Sequence, residues 1–341
     1  MNARGAAFHL AATACAASAD ASAETPMSYM RTFGPAADPV TRLNWGLLTI
    51  SVLVTVLIGG LVLWAALRRR PPAALAADGR PSLGPARGGT MWIYVGVGIS
   101  TLVLLASAVW TLLTLSAIAA PQGKPAVTIE VTGHQWWWAV RYVDADPSQT
   151  IFTANEIHIP VGKPVQLNLM SGDVIHSFWV PQLAGKTDLI PGLTNHAWLQ
   201  ASQPGDFRGQ CGEYCGAQHA HMALHVIADE PAAFETWRQR QLDEAAAPQA
   251  AQALRGQEVF MTRCSACHAV RGTRAGGTLG PDLTHLMSRG TIAAGMLPNN
   301  TGSLSGWIAD APGLKPGTRM PAIDLSPDDL HAVVAYLEVL K

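Results

Sequence analysis

Charge is what this sequence has least of. Only 14% of its 341 residues are Asp, Glu, Lys or Arg, against about a quarter in ordinary soluble domains. Its 23 basic and 24 acidic residues leave a formal net charge of −1. A nucleic-acid surface needs a basic excess, so nucleic acid is excluded as a partner. Cysteine is scarce too, at five residues, yet four of them fall in two short segments. Tryptophan is abundant by comparison, at eleven.

Charge is wholly missing from residues 43–67, LNWGLLTISVLVTVLIGGLVLWAAL, and from residues 91–120. Each run is long enough to cross a hydrocarbon core of about 30 Å. Trp45 and Trp64 mark the ends of the first, and Trp92 and Trp110 lie in the second, as in the aromatic belts of membrane helices. A pair of buried soluble helices would rarely lack a charge for so long. Arg68, Arg69, Arg70, Arg80 and Arg87 lie between the runs. The positive-inside bias makes that loop cytoplasmic and puts both chain ends outside. The expected location is the inner (plasma) membrane of a bacterium, with all that follows residue 120 on the periplasmic side.

Residues 1–42 form an N-terminal segment with features of a signal peptide: Arg4, a short Ala-rich run broken by His9, and small residues. Cys15 follows Ala12, Thr13 and Ala14, which resembles a lipoprotein cleavage site weakly. Cleavage, lipidation and an ordinary tail all stay open.

After the membrane hairpin (43–120) the pattern turns to short runs rich in Val, Ile, Trp and Tyr, broken by Gly and Pro. AVTIEVTGHQWWWAVRY and NEIHIPVGKPVQLNLMS read as strands, followed by VIHSFWV, HAWLQ, GDFRGQ and ALHVIAD. That succession predicts a β-sandwich or barrel over residues 121–230. Residues 231–252 read as a helix and an Ala/Gln linker. Residues 253–341 read as a small all-α unit, ending in a helix capped by Ser326 with Pro327 at its first position. A unit so small often needs a cofactor or metal. The expected fold class is therefore multidomain: two transmembrane helices, a β-sandwich or barrel, and a helical domain.

CGEYCGAQHAHM, residues 211–222, places Cys211, Cys215, His219 and Met222 within one loop. His176 ends a likely strand upstream in DVIHSFWVP. Copper favours thiolate and thioether together with imidazole. This set exceeds what one copper takes and suits two coppers sharing both thiolates. On spacing alone, a Cys211–Cys215 disulfide, a zinc site and a mononuclear blue-copper site stay open.

CSACH, residues 264–268, is the haem c attachment signature: Cys264 and Cys267 form thioethers and His268 binds iron. A thioredoxin-like C-x-x-C would need a βαβ pattern, which is missing. Met320, in TRMP, is the expected sixth ligand. Met261, Met287 and Met296 compete, Met296 most seriously. With these assignments no structural disulfide is expected, and Cys15 is left over.

These motifs resemble subunit II of the haem–copper cytochrome c oxidases. The likeness rests on GHQWWW (133–138), the His of DVIHSF and CGEYCGAQHAHM, and covers residues 30–230. The last unit resembles a class I cytochrome c with a single haem. The resemblance implies a cupredoxin-like fold for residues 121–230. It implies that Cys211 and Cys215 bridge two coppers and that His176 and His219 bind one each. Met222 then ligates one side, and the Glu213 carbonyl the other. It also implies a magnesium or manganese ion, shared with the catalytic subunit through the Glu213 carboxylate. Aromatics in strands usually pack, but the resemblance makes Trp136 the point of electron entry, with Trp138 packing. His221, His134 and His158 match no ligand.

The implied activity is that of an electron-transfer subunit of a terminal oxidase, an enzyme whose oxygen chemistry resides in subunit I. A donor, cytochrome c or another carrier, reduces the haem, the haem reduces the copper pair, and the electron passes on. Implied partners are subunits I and III, that donor and membrane lipid. Two departures stand out: no acid precedes the second span, in GGTMWIYVGVG, and Pro191–Gly192 is followed by Leu193 where the family usually has Arg. A quinol-oxidase subunit II would lack the copper ligands. A nitrous oxide reductase would lack the membrane spans and CSACH. A copper-delivery or oxidase-assembly protein is the alternative from another class, against which the haem motif speaks.

Overall fold

The computed structural model describes residues 27–68 and 89–341. The signal-peptide and Cys15 expectations, and Arg69, Arg70, Arg80 and Arg87 of the basic loop, lie outside the described residues. Helices α1 (Asp38–Leu67) and α2 (Gly89–Ile118) have 30 residues each. At 1.5 Å per residue each is about 45 Å long, enough to span a bilayer with turns to spare. Their apolar side chains are almost all exposed, so no soluble core explains them. Both begin a few residues before the charge-free runs, because a helix can start in polar sequence while a hydrocarbon core cannot.

The hairpin is tied to the rest at its outer end. Trp198 Nε1–H donates to the terminal carbonyl of Ile118 at 2.9 Å. Phe33 N–H donates to Gln182 O, and Ser202 N–H to Phe33 O. The Trp198 bond satisfies a carbonyl that the end of α2 leaves open.

The β-domain is a sandwich of two five-stranded sheets. Its strands are β1 (Val127–His134), β2 (Trp137–Val143), β3 (Ile151–Ala154), β4 (Glu156–Pro160), β5 (Val165–Ser171), β6 (His176–Trp179), β7 (Thr187–Leu189), β8 (Asn195–Leu199), β9 (Gly205–Cys211) and β10 (Ala223–Asp229). One sheet has the order β3-β2-β1-β5-β8 and the other β4-β10-β9-β6-β7. Pairing is antiparallel except for β1 with β5 and β10 with β4. Alternate residues of β1, Ile129 and Val131, lie beside Leu167 and Leu169 of β5 and share one buried core with Phe178 of the other sheet.

Two segments that read as single strands are each two. GHQWWW turns at Gln135–Trp136, where Gln135 N–H donates to the Asp173 carboxylate at 2.8 Å instead of to a strand neighbour. Residues 155–171 break at Pro160, Gly162 and Pro164, and the halves β4 and β5 join different sheets. Strands β3 and β7, too short to leave a period, went unseen.

Helix α3 (Pro231–Leu242) closes the sandwich edge, with Trp237 stacked on His158 at 4.3 Å. After irregular residues 243–250 come α4 (Ala251–Arg263), α5 (Thr301–Ala309), α6 (Ala311–Leu314) and α7 (Pro327–Leu337). Side chains cap three of them: Asn300 accepts from Ser303 N–H, Asp310 from Gly313 N–H and Ser326 from Asp329 N–H. Helices α4 and α7 cross with Phe260 against Tyr336, ring centroids 5.4 Å apart.

The helical domain docks on the sandwich. Ala223 N–H donates to Ala294 O at 3.0 Å, Gly290 N–H to the Glu156 carboxylate at 2.9 Å, and Gln218 Nε2–H to Pro316 O at 2.9 Å.

Candidate copper and haem centres

Three segments of one sheet deliver the first cluster. His176 opens β6, Cys211 ends β9, and the loop beyond β9 carries Cys215, His219 and Met222 before β10 begins. The ligand atoms of His176, Cys211 and Cys215 lie within 4.8 Å of one another, all buried. The two sulfurs are 3.7 Å apart. His176 Nδ1 is 3.9 Å from Cys211 Sγ, His219 Nδ1 3.6 Å from Cys215 Sγ, and Met222 Sδ 3.8 Å from Cys215 Sγ. The Glu213 carbonyl oxygen is 3.2 Å from Cys211 Sγ. Four donors thus surround one sulfur pair.

The chemistry of this donor set fits two soft cations. The sulfurs stand well beyond the S–S bond of about 2.05 Å, and both cysteines are free. A zinc centre would leave the thioether unused, and a mononuclear blue centre would leave one thiolate unused. The thiols also conflict electrostatically. Their mutual hydrogen bond pulls the Cys211 thiol down against its burial, while the same contact and burial push Cys215 up. Cations bridging both sulfurs remove that conflict.

Asp173 was invisible from sequence. Its Oδ1 lies 2.8 Å from His176 Nε2. A proton on Nε2 leaves Nδ1 bare toward Cys211, the tautomer that a metal ligand requires. Burial alone would raise the Asp173 carboxyl. Hydrogen bonds from His176 and from the Gln135 and Val174 N–H groups outweigh it and hold the carboxyl below the ordinary range. The sign follows: this support is complete above the ordinary carboxylate range and fades as pH falls through the lowered value. Asp173→Asn is expected to weaken copper retention by about 10–100-fold, measured by chelator competition. Unchanged retention would remove Asp173 from the site.

A cavity of about 380 Å³ opens beside this cluster. Cys264, Cys267, His268 and Met320 all line it, whereas Met261, Met287 and Met296 do not. Its walls are mainly apolar, with Leu283, Ile308, Val333 and Leu337 among them. His268 Nδ1–H donates to Pro281 O at 2.8 Å, leaving Nε2 for a metal. Burial lowers the pKa of His268, which keeps the ring neutral. Burial and nearby Cys267 push the Cys264 thiol up to about 11. Arg289 also lines the cavity, and its buried Nε has no hydrogen-bond partner, an orphan that suits an acidic substituent on a flat apolar group. These residues fit haem c.

Trp136 stands where the two sites meet. Its Nε1–H and the Gln135 Nε2–H both donate to the Cys215 carbonyl, at 3.0 and 2.8 Å. The same indole lines the cavity. Two glycines clasp it, Gly216 from the copper loop and Gly317 from the Met320 loop, both at positive φ. A Cβ on either would sit 3.0 Å from the ring, so only glycine lets both loops touch it. The clasp left no sequence signal, because glycines in loops are common.

The remaining candidates sit apart from the sulfur pair. Trp138 is fully buried. The His221 ring pairs with Gln218 at 2.7 Å, His134 stacks on Trp137 at 4.9 Å, and His158 lies between Glu156 and Asp229. The Glu213 carboxylate points outward, 3.1 Å from Lys186 Nζ.

Residues 127–229 match the family model described as cytochrome c oxidase subunit II, periplasmic domain, and residues 253–341 that of cytochrome c. Cytochrome c oxidase subunit 2 of Alkalihalophilus pseudofirmus is 44% identical over 222 residues, 64% of this chain and 63% of that one. This chain thus spans less than two thirds of that relative. Cytochrome c oxidase subunit 2 of Bacillus sp. (strain PS3) is 31% identical over 263 residues, 71% of this chain and 72% of that one. The solved periplasmic domain of subunit II of cytochrome oxidase from Bradyrhizobium japonicum is 32% identical, covers 35% of this chain and 95% of that chain, and has a TM-score of 0.33.

Proposed function

Since this chain belongs to the cytochrome c oxidase subunit II family, we propose that it is the electron-entry subunit of a terminal oxidase. Electrons arrive singly from a periplasmic or membrane donor at the His268–Met320 side. They cross at Trp136 and leave through the Cys211–Cys215 cluster to subunit I, where oxygen is reduced. The observation that carries this reading is the single indole that bonds the Cys215 carbonyl and lines the cavity of the CSACH motif.

When bound, haem c and a copper pair supply reversible one-electron chemistry. The chain's own residues do the rest. Cys264 and Cys267 would hold the haem covalently, and His268 and Met320 would be its iron ligands. Cys211, Cys215, His176, His219, Met222 and the Glu213 carbonyl would hold the coppers, in a cage already assembled from two strand ends and the loop between β9 and β10. Such a cage moves little when charge changes, and low reorganisation favours fast transfer. Asp173 and Pro281 fix the ring orientation of buried His176 and half-buried His268. The outward Glu213 carboxylate is the group offered to a magnesium or manganese ion shared with subunit I. α1 and α2 anchor the chain in a bacterial plasma membrane beside subunits I and III, both aqueous domains on the periplasmic side.

Metal analysis of the purified full chain with oxidised and reduced spectra tests the assignment. Two coppers per iron, with an electron shared between the coppers, are expected. One copper with a single-centre signal, or copper lost readily to a chelator, would favour a copper-delivery role. Met320→Leu should keep the covalent haem but lower its reduction potential, since a thioether ligand raises it. A potentiometric titration checks this, and an unchanged potential would point to another axial ligand.

A further inference from the structure

Lys315 is only 2% exposed, yet it carries a cation. It opens the loop between α6 and α7 that carries Met320. Its ammonium group has three N–H donors and uses all of them on carbonyls. They are Trp136 O at 2.9 Å, His221 O at 2.8 Å and Ala293 O at 2.9 Å. Two of these carbonyls belong to the sandwich and one to the helical domain. Trp136 is the residue bonded to the Cys215 carbonyl, and His221 ends the turn that begins at His219. Ala293 adjoins Ala294, whose carbonyl receives the Ala223 N–H across the junction.

No hydrogen bond from this ammonium goes to a carboxylate. Burial therefore lowers its pKa to about 8. Buried charge without a counter-charge is unfavourable for stability, so its placement calls for a reason other than packing. A compact ammonium can reach three carbonyls from three directions, which a planar guanidinium or an apolar side chain cannot.

We propose that Lys315 is the positioning residue that locks the Met320 loop onto the Trp136 face and so sets how fast electrons pass from the haem side to the copper side. The inference rests on the relay described above. In each passage one electron leaves the iron side and the copper side gains it; no bond forms or breaks.

The test uses the full chain with its metals and haem, wild type beside Lys315→Met, with two readouts. The first is hydrogen exchange at the Ala223 and Gly290 amides, which bond across the junction. The second is passage of an electron to copper after flash reduction of the haem. In Lys315→Met both amides should exchange at least about tenfold faster, equivalent to about 1.4 kcal/mol of docking. Electron passage should slow by a similar factor, with the Leu304 amide inside the helical domain and both optical spectra unchanged. Lys315→Arg, which keeps the charge but not the geometry, should fall between, and serves as the test if the Met variant does not fold. Unchanged passage overturns the proposal, whatever the amides do. No passage in the wild type would overturn the relay itself, and this inference with it.

Discussion

Cys215→Ser is expected to abolish the shared-copper signal and all electron passage to the oxygen-reducing partner, while leaving the haem reducible. The reason lies in the sulfur pair. The sulfurs lie 3.7 Å apart, ringed by His176, His219, Met222 and the Glu213 carbonyl, so in the proposed centre each would bridge two coppers instead of ending on one. Serine offers a hard oxygen with a pKa far above that of a thiol, so it cannot replace a soft bridging thiolate. Cys211→Ser should do the same, because a bridge fails when either half is removed. A mononuclear site would behave differently: one of the two substitutions would be tolerated. Electron paramagnetic resonance and copper analysis of both variants decide it. A variant that keeps its dinuclear signal would contradict the bridging role of the replaced cysteine.

Gly256→Ala is expected to destabilise the helical domain by about 3 kcal/mol or more and to impair haem retention. In an exposed helix the same change would stabilise by about 1 kcal/mol, since glycine is the poorer helix former. Here α4 lies so close to α7 that an added Cβ would stand 1.9 Å from the Ala332 carbonyl oxygen and 2.9 Å from Tyr336 Cβ. The obstacle is backbone, which cannot swing aside as a side chain can. The helices must separate, and the Phe260–Tyr336 contact beneath opens with them. Thermal unfolding followed in the haem band should show a lower midpoint, while sandwich unfolding followed in the copper band should barely change. A haem-band midpoint within a degree of wild type would show that the crossing tolerates a methyl group.

The two centres differed in how legible they were. CSACH and CGEYCGAQHAHM carry most of their donors within a few residues, so local spacing was enough to draw attention to them. His176 comes from a strand far away in sequence, and nothing in the spacing connected it to Cys211; the family resemblance did. Met320 stood among four methionines that sequence could only rank, and the cavity lining separates it from the other three. Asp173, Gly216, Gly317 and Lys315 were illegible, because each acts through a partner in another segment or domain. The membrane hairpin was plain from missing charge, whereas the helix starts at Asp38 and Gly89 were not. The break at Gln135 escaped because β-rich composition persists through it, whereas Pro160, Gly162 and Pro164 do mark the second break. At Gln135 a tertiary bond, the Asp173 carboxylate capturing the Gln135 N–H, ends the strand.

The order of reduction tests the central claim most directly. The oxidised full chain, carrying both metals, is mixed rapidly with a small excess of reduced donor, and the haem and copper bands are followed together. The relay requires the haem band to rise first and the copper band then to bleach as the haem partly reoxidises, with Lys315→Met slowing only the second phase. Copper that bleaches before the haem, or at the same rate when Cys264 and Cys267 are replaced and no haem is attached, would contradict it.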